Sequence, residues 1–303
     1  MLPDSGPRSG RVGEDHLSPA AIQTGLHTQF IGRNVVYRQS VTSTNDLARA
    51  LAAQGAPEGT LVLAEEQTAG RGRLGRTWLA PGGTSLLFSL IFRPALLPGQ
   101  AFRLAMLCSL ATARAIEAVT TLPIHLKWPN DLVLRGKKLG GVLCESSLTG
   151  ERLDFVAVGL GLNVNLDVST LPEIAATATS LSAALGRPVA RLPLLQSILQ
   201  EIEAGYRDVA QGEALRAAWA ARLGTLGQVV RVTGGIEDEG LAEGVDADGA
   251  LLLRRADGTL AHITVGDVTL RPAGGVPGSM FQVSSSGVTV GDMTPRPTGG
   301  MSF

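Results

Sequence analysis

Residues 60–78 read Thr60-Leu-Val-Leu-Ala-Glu-Glu-Gln-Thr-Ala-Gly-Arg-Gly-Arg-Leu-Gly-Arg-Thr-Trp78, and the fold turns on whether a helix or a strand comes next. The apolar run Thr60–Glu65 predicts a buried strand. Gly70, Gly72 and Gly75 then satisfy the G-x-G-x-x-G spacing of dinucleotide-binding proteins, which has physical content only where a helix starts inside the motif. Arg76–Gly83 cannot start one, because Trp78, Pro81, Gly82 and Gly83 crowd into eight residues. The next regular element, Thr84–Phe92, is a second strand. A basic glycine loop between two strands excludes the Rossmann arrangement.

Working outward, Ser43-Thr44-Asn45-Asp46 precedes Leu47–Leu51 and predicts a helix capped by Ser43 or Thr44. An alanine-rich helix is expected over Phe102–Val119. Strands are expected over Ile124–Trp128, Leu132–Leu134, Leu139–Glu145 and Phe155–Leu160, then helices over Leu192–Val209 and Glu213–Arg222. After Gly224 the texture changes to short β runs: Gln228–Val232, Leu241–Val245, Ala250–Arg254 and His262–Val265. Turns such as Asp246-Ala-Asp-Gly249 and Asp257-Gly258 separate them. Strands and helices come in runs without βαβ alternation, so the fold class is α+β, a mixed sheet with flanking helices. Residues 31–223 form the expected main domain and 224–273 a small β-barrel domain. Residues 1–30 and 274–303, rich in Gly, Pro and Ser, read as a flexible N-terminal segment and a flexible tail.

The 303 residues carry a formal net charge of −1, so no global basic field suggests a nucleic-acid partner. Arginines are instead concentrated locally, which points to a small anionic ligand. Cys108 and Cys144 sit in apolar runs without metal spacing, and the four histidines form no ligand pair or triad. No apolar run reaches bilayer-spanning length and no signal-peptide core opens the chain, so a cytoplasmic protein with no membrane partner is expected.

Three stretches carry chemistry. In the loop, Arg71, Arg73 and Arg76 offer charged planar forks suited to phosphate and carboxylate oxygens, while the glycines let a ligand approach the backbone. Leu126-Lys-Trp-Pro-Asn-Asp131, with Lys137-Lys-Leu-Gly-Gly141 close behind it, places two cations beside one turn. Paired glycines inside a strand mark a close approach by a ligand or another backbone. Asn130 and Asp131 serve equally as ordinary turn residues, and Asp131 as a partner for a lysine. Val158-Gly-Leu-Gly-Leu-Asn-Val-Asn165 reads as a core strand with Asn163 and Asn165 at its exit, for packing or for ligand contact. No phosphate-loop motif, nucleophile elbow or zinc pair is found, which argues against covalent catalysis by the chain.

These residues together resemble the biotin–protein ligase family, from about residue 35 to 272. Four blocks match in order: Ser43-Thr44-Asn45; Gly70-Arg-Gly-Arg73 with Trp78; Lys127-Trp-Pro-Asn-Asp131 with Lys138-Leu-Gly-Gly141; and Gly159–Asn165. The resemblance implies a class II synthetase-like catalytic domain with an SH3-like C-terminal barrel. It implies that biotin's carboxylate attacks the α-phosphate of ATP with Mg²⁺, giving biotinyl-5′-AMP. A lysine of a biotin carboxyl carrier protein domain from a biotin-dependent carboxylase then takes the acyl group and releases AMP.

The same resemblance distributes the roles. Lys138, Arg73 and Arg71 are the expected catalytic cations. Ser43, Thr44, Asn45, Gln67, Gly70, Arg71 and Gly141 are expected to hold biotin. Arg73, Arg76, Trp78, Lys127, Asn130, Asp131, Asn163 and Arg271 are expected to hold the nucleotide, and Asp131 is the candidate Mg²⁺ ligand. The glycine–arginine loop is expected to order over the adenylate and shield it from water. Family members with a DNA-binding winged helix need roughly 60 more residues before the Ser-Thr-Asn block, so a ligase without repressor activity is expected, as a monomer or homodimer. The rival readings are a lipoate–protein ligase and a non-catalytic biotin- or nucleotide-binding regulator.

Overall fold

Seven strands of one mixed sheet run β1-β2-β3-β7-β6-β5-β4, where β1 is Val35–Val41, β2 Leu61–Gln67, β3 Ser85–Phe92, β4 His125–Lys127, β5 Asp131–Leu134, β6 Lys137–Thr149 and β7 Arg152–Asn163. Only β1 and β2 pair in parallel; the remaining ladders of this sheet are antiparallel. The computed structural model of the chain describes residues 17–270, and these belong to one compact unit. Expectations for residues 1–16 and 271–303 lie outside the described residues.

The central strands are apolar on both faces, and both faces are covered. Leu61, Leu63, Leu86, Phe88 and Leu90 enter the large core shared with α3 (Arg103–Thr120) and α5 (Arg191–Tyr206). Val62, Ile91, Phe155 and Ala157 meet Ala48 and Ala52 of α2 (Thr44–Ala53) on the opposite face. Burial of this kind contributes about 25 cal/mol per Å² of apolar surface, which explains the near-continuous hydrophobic runs. Cys108 and Cys144 lie within this packing, and burial pushes the Cys144 thiol up to about 12. Inside the same core, Arg191 Nη1 donates to Glu65 Oε2 at 2.7 Å, and both side chains are nearly sealed from solvent.

Residues 17–30 correct the expectation of a flexible segment. Ser18 caps a short helix, α1 (Pro19–Gln23), and Leu17, Ile22 and Leu26 are buried in the same core as the apolar face of α5. Glu203 accepts the amides of Gln29, Phe30 and Ile31 and so fixes the chain's entry to β1. Two further short elements had no periodic signal: α4 (Leu181–Leu185) and the last strand, β12 (Asp267–Leu270). The helix expected over Glu213–Arg222 is α6 (Glu213–Ala220).

The expected C-terminal β module is a five-stranded antiparallel sheet, ordered β11-β10-β9-β8-β12. Its strands are β8 (Val229–Thr233), β9 (Asp238–Val245), β10 (Leu251–Arg254), β11 (Leu260–Ile263) and β12. The turn at Asp246–Gly249 fastens it to the main sheet. Trp128 Nε1 donates to the Gly249 carbonyl at 2.9 Å, and the buried Arg103 donates from Nε to Asp248 Oδ1 at 2.8 Å. A Cβ at Gly249 would stand 2.6 Å from Phe102 Cδ1, so only glycine lets the turn approach this closely. Among the described residues, no helix is long and apolar enough to cross a membrane.

Candidate active site

Glycine rows make the floor of one pocket, on the face of the sheet that carries α2. Register aligns Leu87, Gly161, Gly141 and Asp131 across β3, β7, β6 and β5, and a second row aligns Ser89, Gly159 and Leu143. Gly141, Gly159 and Gly161 all line the pocket. Each absence of a side chain has a specific neighbour. A Cβ on Gly159 would stand 2.6 Å from Asn45 Oδ1, and one on Gly161 would stand 2.6 Å from Trp78 Cε2. Gly159–Asn163 is thus the end of core strand β7, whose glycines admit close packing by α2 and by Trp78, and Asn165 lies just beyond it.

At one end lie hydroxyls and amides. Ser43 occupies the N-cap position of α2 yet makes no capping bond with its side chain. Its hydroxyl is therefore not committed to the helix, although Ser43 is buried and lines the pocket. The orientation of Gln67 is set by two donors: the Thr44 amide at 2.8 Å and Thr44 Oγ1 at 3.1 Å both reach Gln67 Oε1. Buried Ser89 on β3 donates in turn to Thr44 Oγ1 at 2.9 Å. This relay leaves the Gln67 Nε2 amino group as the outward donor.

At the other end sits a fixed cation. The backbone of Lys138 is pinned from both sides, by Lys138 N to the Thr177 carbonyl at 2.8 Å and Thr179 N to the Lys138 carbonyl at 2.9 Å. Its Nζ lies 2.6 Å from Asp131 Oδ1 and 5.8 Å from the Trp78 ring centroid. A Cβ at Gly141 would meet Asp131 Oδ1 at 3.5 Å and Lys138 Nζ at 3.6 Å, so the ion pair lies directly over that glycine. Asn130 donates from Nδ2 to the Val142 carbonyl at 2.8 Å, a structural bond that leaves Oδ1 uncommitted. Of the two asparagines at the β7 exit, Asn165 is consumed by reciprocal bonds with Val189, at 2.9 Å each. Asn163 is different. It donates to the Thr179 carbonyl, but its buried Oδ1 has no partner among the described residues. Asn45 Oδ1 and Trp78 Nε1 are likewise buried and unpaired, and all three residues line this pocket. Leaving one such group unsatisfied costs about 1–3 kcal/mol; Asn45 Oδ1 and Trp78 Nε1 pack against Gly159 and Gly161.

Over the pocket, residues 70–78 form a narrow hairpin. Trp78 N donates to the Gly70 carbonyl at 2.8 Å, and Gly72 N to the Arg76 carbonyl at 2.7 Å. The three arginines diverge in their partners. Arg71 pairs with Asp46 on α2 and, at 3.1 Å, with Glu145 on β6. Arg76 pairs with Asp267 on β12. Arg73 has no carboxylate partner among the described residues; burial pushes its pKa down, opposed by the nearby charges of Asp267 and Asp131. A half-buried guanidinium with no direct carboxylate contact among the described residues suits an anion.

Two family models match the chain: the biotin/lipoate A/B protein ligase family over residues 35–163 and the biotin protein ligase C-terminal domain over residues 225–271. The chain is 37% identical over 248 residues to the bifunctional ligase/repressor BirA of Bacillus spizizenii, covering 80% of this chain and 76% of that protein. It is 34% identical over 269 residues to the biotin--[acetyl-CoA-carboxylase] ligase of Mycobacterium tuberculosis, covering 84% and 97% respectively. The chain belongs to the biotin protein ligase family. A biotin protein ligase from Aquifex aeolicus, solved in complex with biotin and ATP, matches with a TM-score of 0.69 at 30% identity, over 80% of this chain and all of that one.

Against this family background, the structure gathers most of the expected site residues into one pocket. Ser43, Thr44, Asn45, Gln67, Arg71, Arg73, Arg76, Trp78, Asn130, Asp131, Lys138, Gly141 and Asn163 all line it. Gly70 stands outside the lining, at the neck of the hairpin, where a Cβ would stand 2.7 Å from the Trp78 carbonyl oxygen. Lys127 lies on edge strand β4, in register with Asp131 but outside the lining. Arg271 lies outside the described residues. Sequence reasoning missed Ser89, Glu145 and Asp267. Ser89 interrupts an apolar strand, which is a usable signal; the two acids carry none, because their partners are distant in sequence. Among the described residues, no group of three or more His, Cys, Asp or Glu side chains could cage a metal. Asp131 is a hard oxygen donor in the pocket lining, and its Oδ1 is engaged by Lys138 at 2.6 Å.

Proposed function

We propose that this ligase activates biotin with ATP as biotinyl-5′-AMP and transfers the biotinyl group to a lysine of a biotin carboxyl carrier domain. One observation carries the reading: the fixed ammonium of Lys138 and the guanidinium of Arg73 border the same pocket as the Ser43–Thr44–Gln67 cluster. A ureido ring is neutral and polar and needs both donors and acceptors, which Ser43 Oγ and Gln67 Nε2 supply. At the far end, a carboxylate and a phosphate approach each other and need cations between them.

In the first step a carboxylate oxygen of biotin bonds to the α-phosphorus, and the bond to the bridging oxygen of pyrophosphate breaks. Lys138 neutralises charge on both reacting groups, and Arg73 does so on the phosphate. Asp131 would be the carboxylate that holds a Mg²⁺ accompanying ATP, and such an ion would supply neutralising charge for the polyphosphate. Asn163 Oδ1 and Trp78 offer the adenine an acceptor and an aromatic face. In the second step a neutral lysine amine of the carrier attacks the acyl carbon, the C–O bond to AMP breaks, and the amine loses its proton. The carrier has an edge to dock on. β5 pairs with β6 only through Lys137–Gly141, so beyond Val142 β6 has a strand partner on one side alone among the described residues. The reaction is placed in the cytoplasm, a compartment that supplies ATP.

The polar cluster favours biotin over lipoate, whose dithiolane ring has no use for Ser43 and Gln67. A passive binder would have no use for Lys138. Exchange of labelled pyrophosphate into ATP tests all three readings: it is expected with biotin and absent with lipoate. Exchange with lipoate alone, or none with either, would contradict the proposal.

A further inference from the structure

Two contacts tie the tip of the glycine–arginine hairpin to the C-terminal module, and neither is needed to bind an anion. Leu74 adopts a φ of 54°, a left-handed conformation that a leucine rarely takes. The residue is half-exposed, and its Cδ1 packs so closely on Gly234 that a Cβ there would clash with it. A loop evolved only to cradle phosphate has no use for an exposed leucine in a strained conformation. The second contact is the Arg76–Asp267 ion pair. Both receiving residues share one rim. Asp267 begins β12 in register with Thr233 of β8, and Gly234 is the residue after Thr233. That rim belongs to a module fastened to the sheet through Trp128, Arg103 and the Asp246–Gly249 turn.

We propose that the C-terminal module is a latch for the hairpin: Leu74 on Gly234 and Arg76 on Asp267 hold it over the pocket, and Arg73 is the loop arginine left without a carboxylate partner among the described residues. Arg76 and Leu74 are then positioning residues rather than catalytic ones. The inference rests on the adenylate-forming reading above. Arg76 is mostly exposed, so the pair is weak enough to open and close with each turnover. Closure keeps water from the mixed anhydride until a carrier arrives.

The test uses the full chain carrying Leu74→Ala, Arg76→Gln, Asp267→Asn and the Arg76→Gln/Asp267→Asn double change. Two readouts apply: the lifetime of enzyme-bound biotinyl-5′-AMP without carrier, and amide exchange across residues 70–78. Each single change is expected to shorten the lifetime roughly two- to fivefold, the range of an exposed contact, and to speed exchange of the hairpin. The double change is expected to be no worse than either of its components, because both remove one contact. If Arg76→Gln raises KM for ATP equally in the wild-type and Asp267→Asn backgrounds, Arg76 touches the nucleotide itself and the latch is wrong. Unchanged lifetimes and exchange in the single variants would overturn it as well. Failure of the wild type to form any adenylate would instead defeat the parent reading, and amide exchange would still decide the latch.

Discussion

The two halves of the pocket are built on opposite principles. Sheet residues make one half: Lys138 is pinned through both of its backbone groups, and Gly141, Gly159 and Gly161 are fixed by register with buried strands. The hairpin makes the other half. Among the described residues, its exposed guanidiniums Arg71 and Arg76 are held by carboxylate pairs and Arg73 by none. A buried ladder sets geometry and a surface ion pair sets occupancy, because the second opens at a cost of about 1 kcal/mol and the first does not. On the proposed reading, the sheet half carries most of the bond formation, and the hairpin adds charge at the phosphate and protects the intermediate.

The largest effect should come from the sheet half. Lys138→Met should lower the rate of adenylate formation by about 10²–10³-fold, the usual consequence of removing one transition-state donor, with the melting temperature close to wild type. A rate within a fewfold of wild type would move the chemistry elsewhere. Gly161→Ala comes next, since the added methyl drives into the Trp78 ring. We expect overpacking of about 1–3 kcal/mol, read by denaturant unfolding, together with impaired ATP binding. On the hairpin side, Arg73→Gly should leave a folded protein that forms the adenylate but releases it about tenfold faster, which trapping by free lysine would reveal. An intermediate retained as long as in wild type would remove the shielding role.

The smallest effect concerns how the sheet half is braced. Arg222 hydrogen-bonds to Glu117 and holds its carboxyl below the usual range, helped by the Ile124 amide. Such a depressed carboxylate stabilises the fold above its unfolded pKa, and that contribution disappears as pH falls through the folded value. Glu117→Gln should therefore lower the melting temperature at pH 7 and converge with wild type in acid. A pH-independent difference would mean that the pair contributes through packing and not charge.

How much of this was legible in the chain depended on how local each cause was. The failure of Arg76–Gly83 to start a helix and the β-run texture after Gly224 are local, and both led to the right class. The glycine pair at Gly140–Gly141 signalled a close approach, and at Gly140 it is to another backbone: a Cβ there would stand 2.8 Å from the Gly161 carbonyl oxygen, whereas Gly141 lies beneath the Lys138–Asp131 pair. Residues 17–30 misled because α1 is only five residues long and owes its order to α5 and Glu203, far along the chain. Likewise, the three loop arginines look equivalent in sequence. Their separation into two paired residues and one without a carboxylate depends on Asp46, Glu145 and Asp267, which tertiary packing alone brings near.

A crystal structure of the chain with a non-hydrolysable biotinyl-adenylate analogue tests the account most directly. Lys138 Nζ and the Arg73 guanidinium should both lie within about 3 Å of oxygens at the acyl–phosphate junction, with the ureido ring against Ser43 and Gln67. An analogue bound with Lys138 still held by Asp131 and remote from that junction would contradict it.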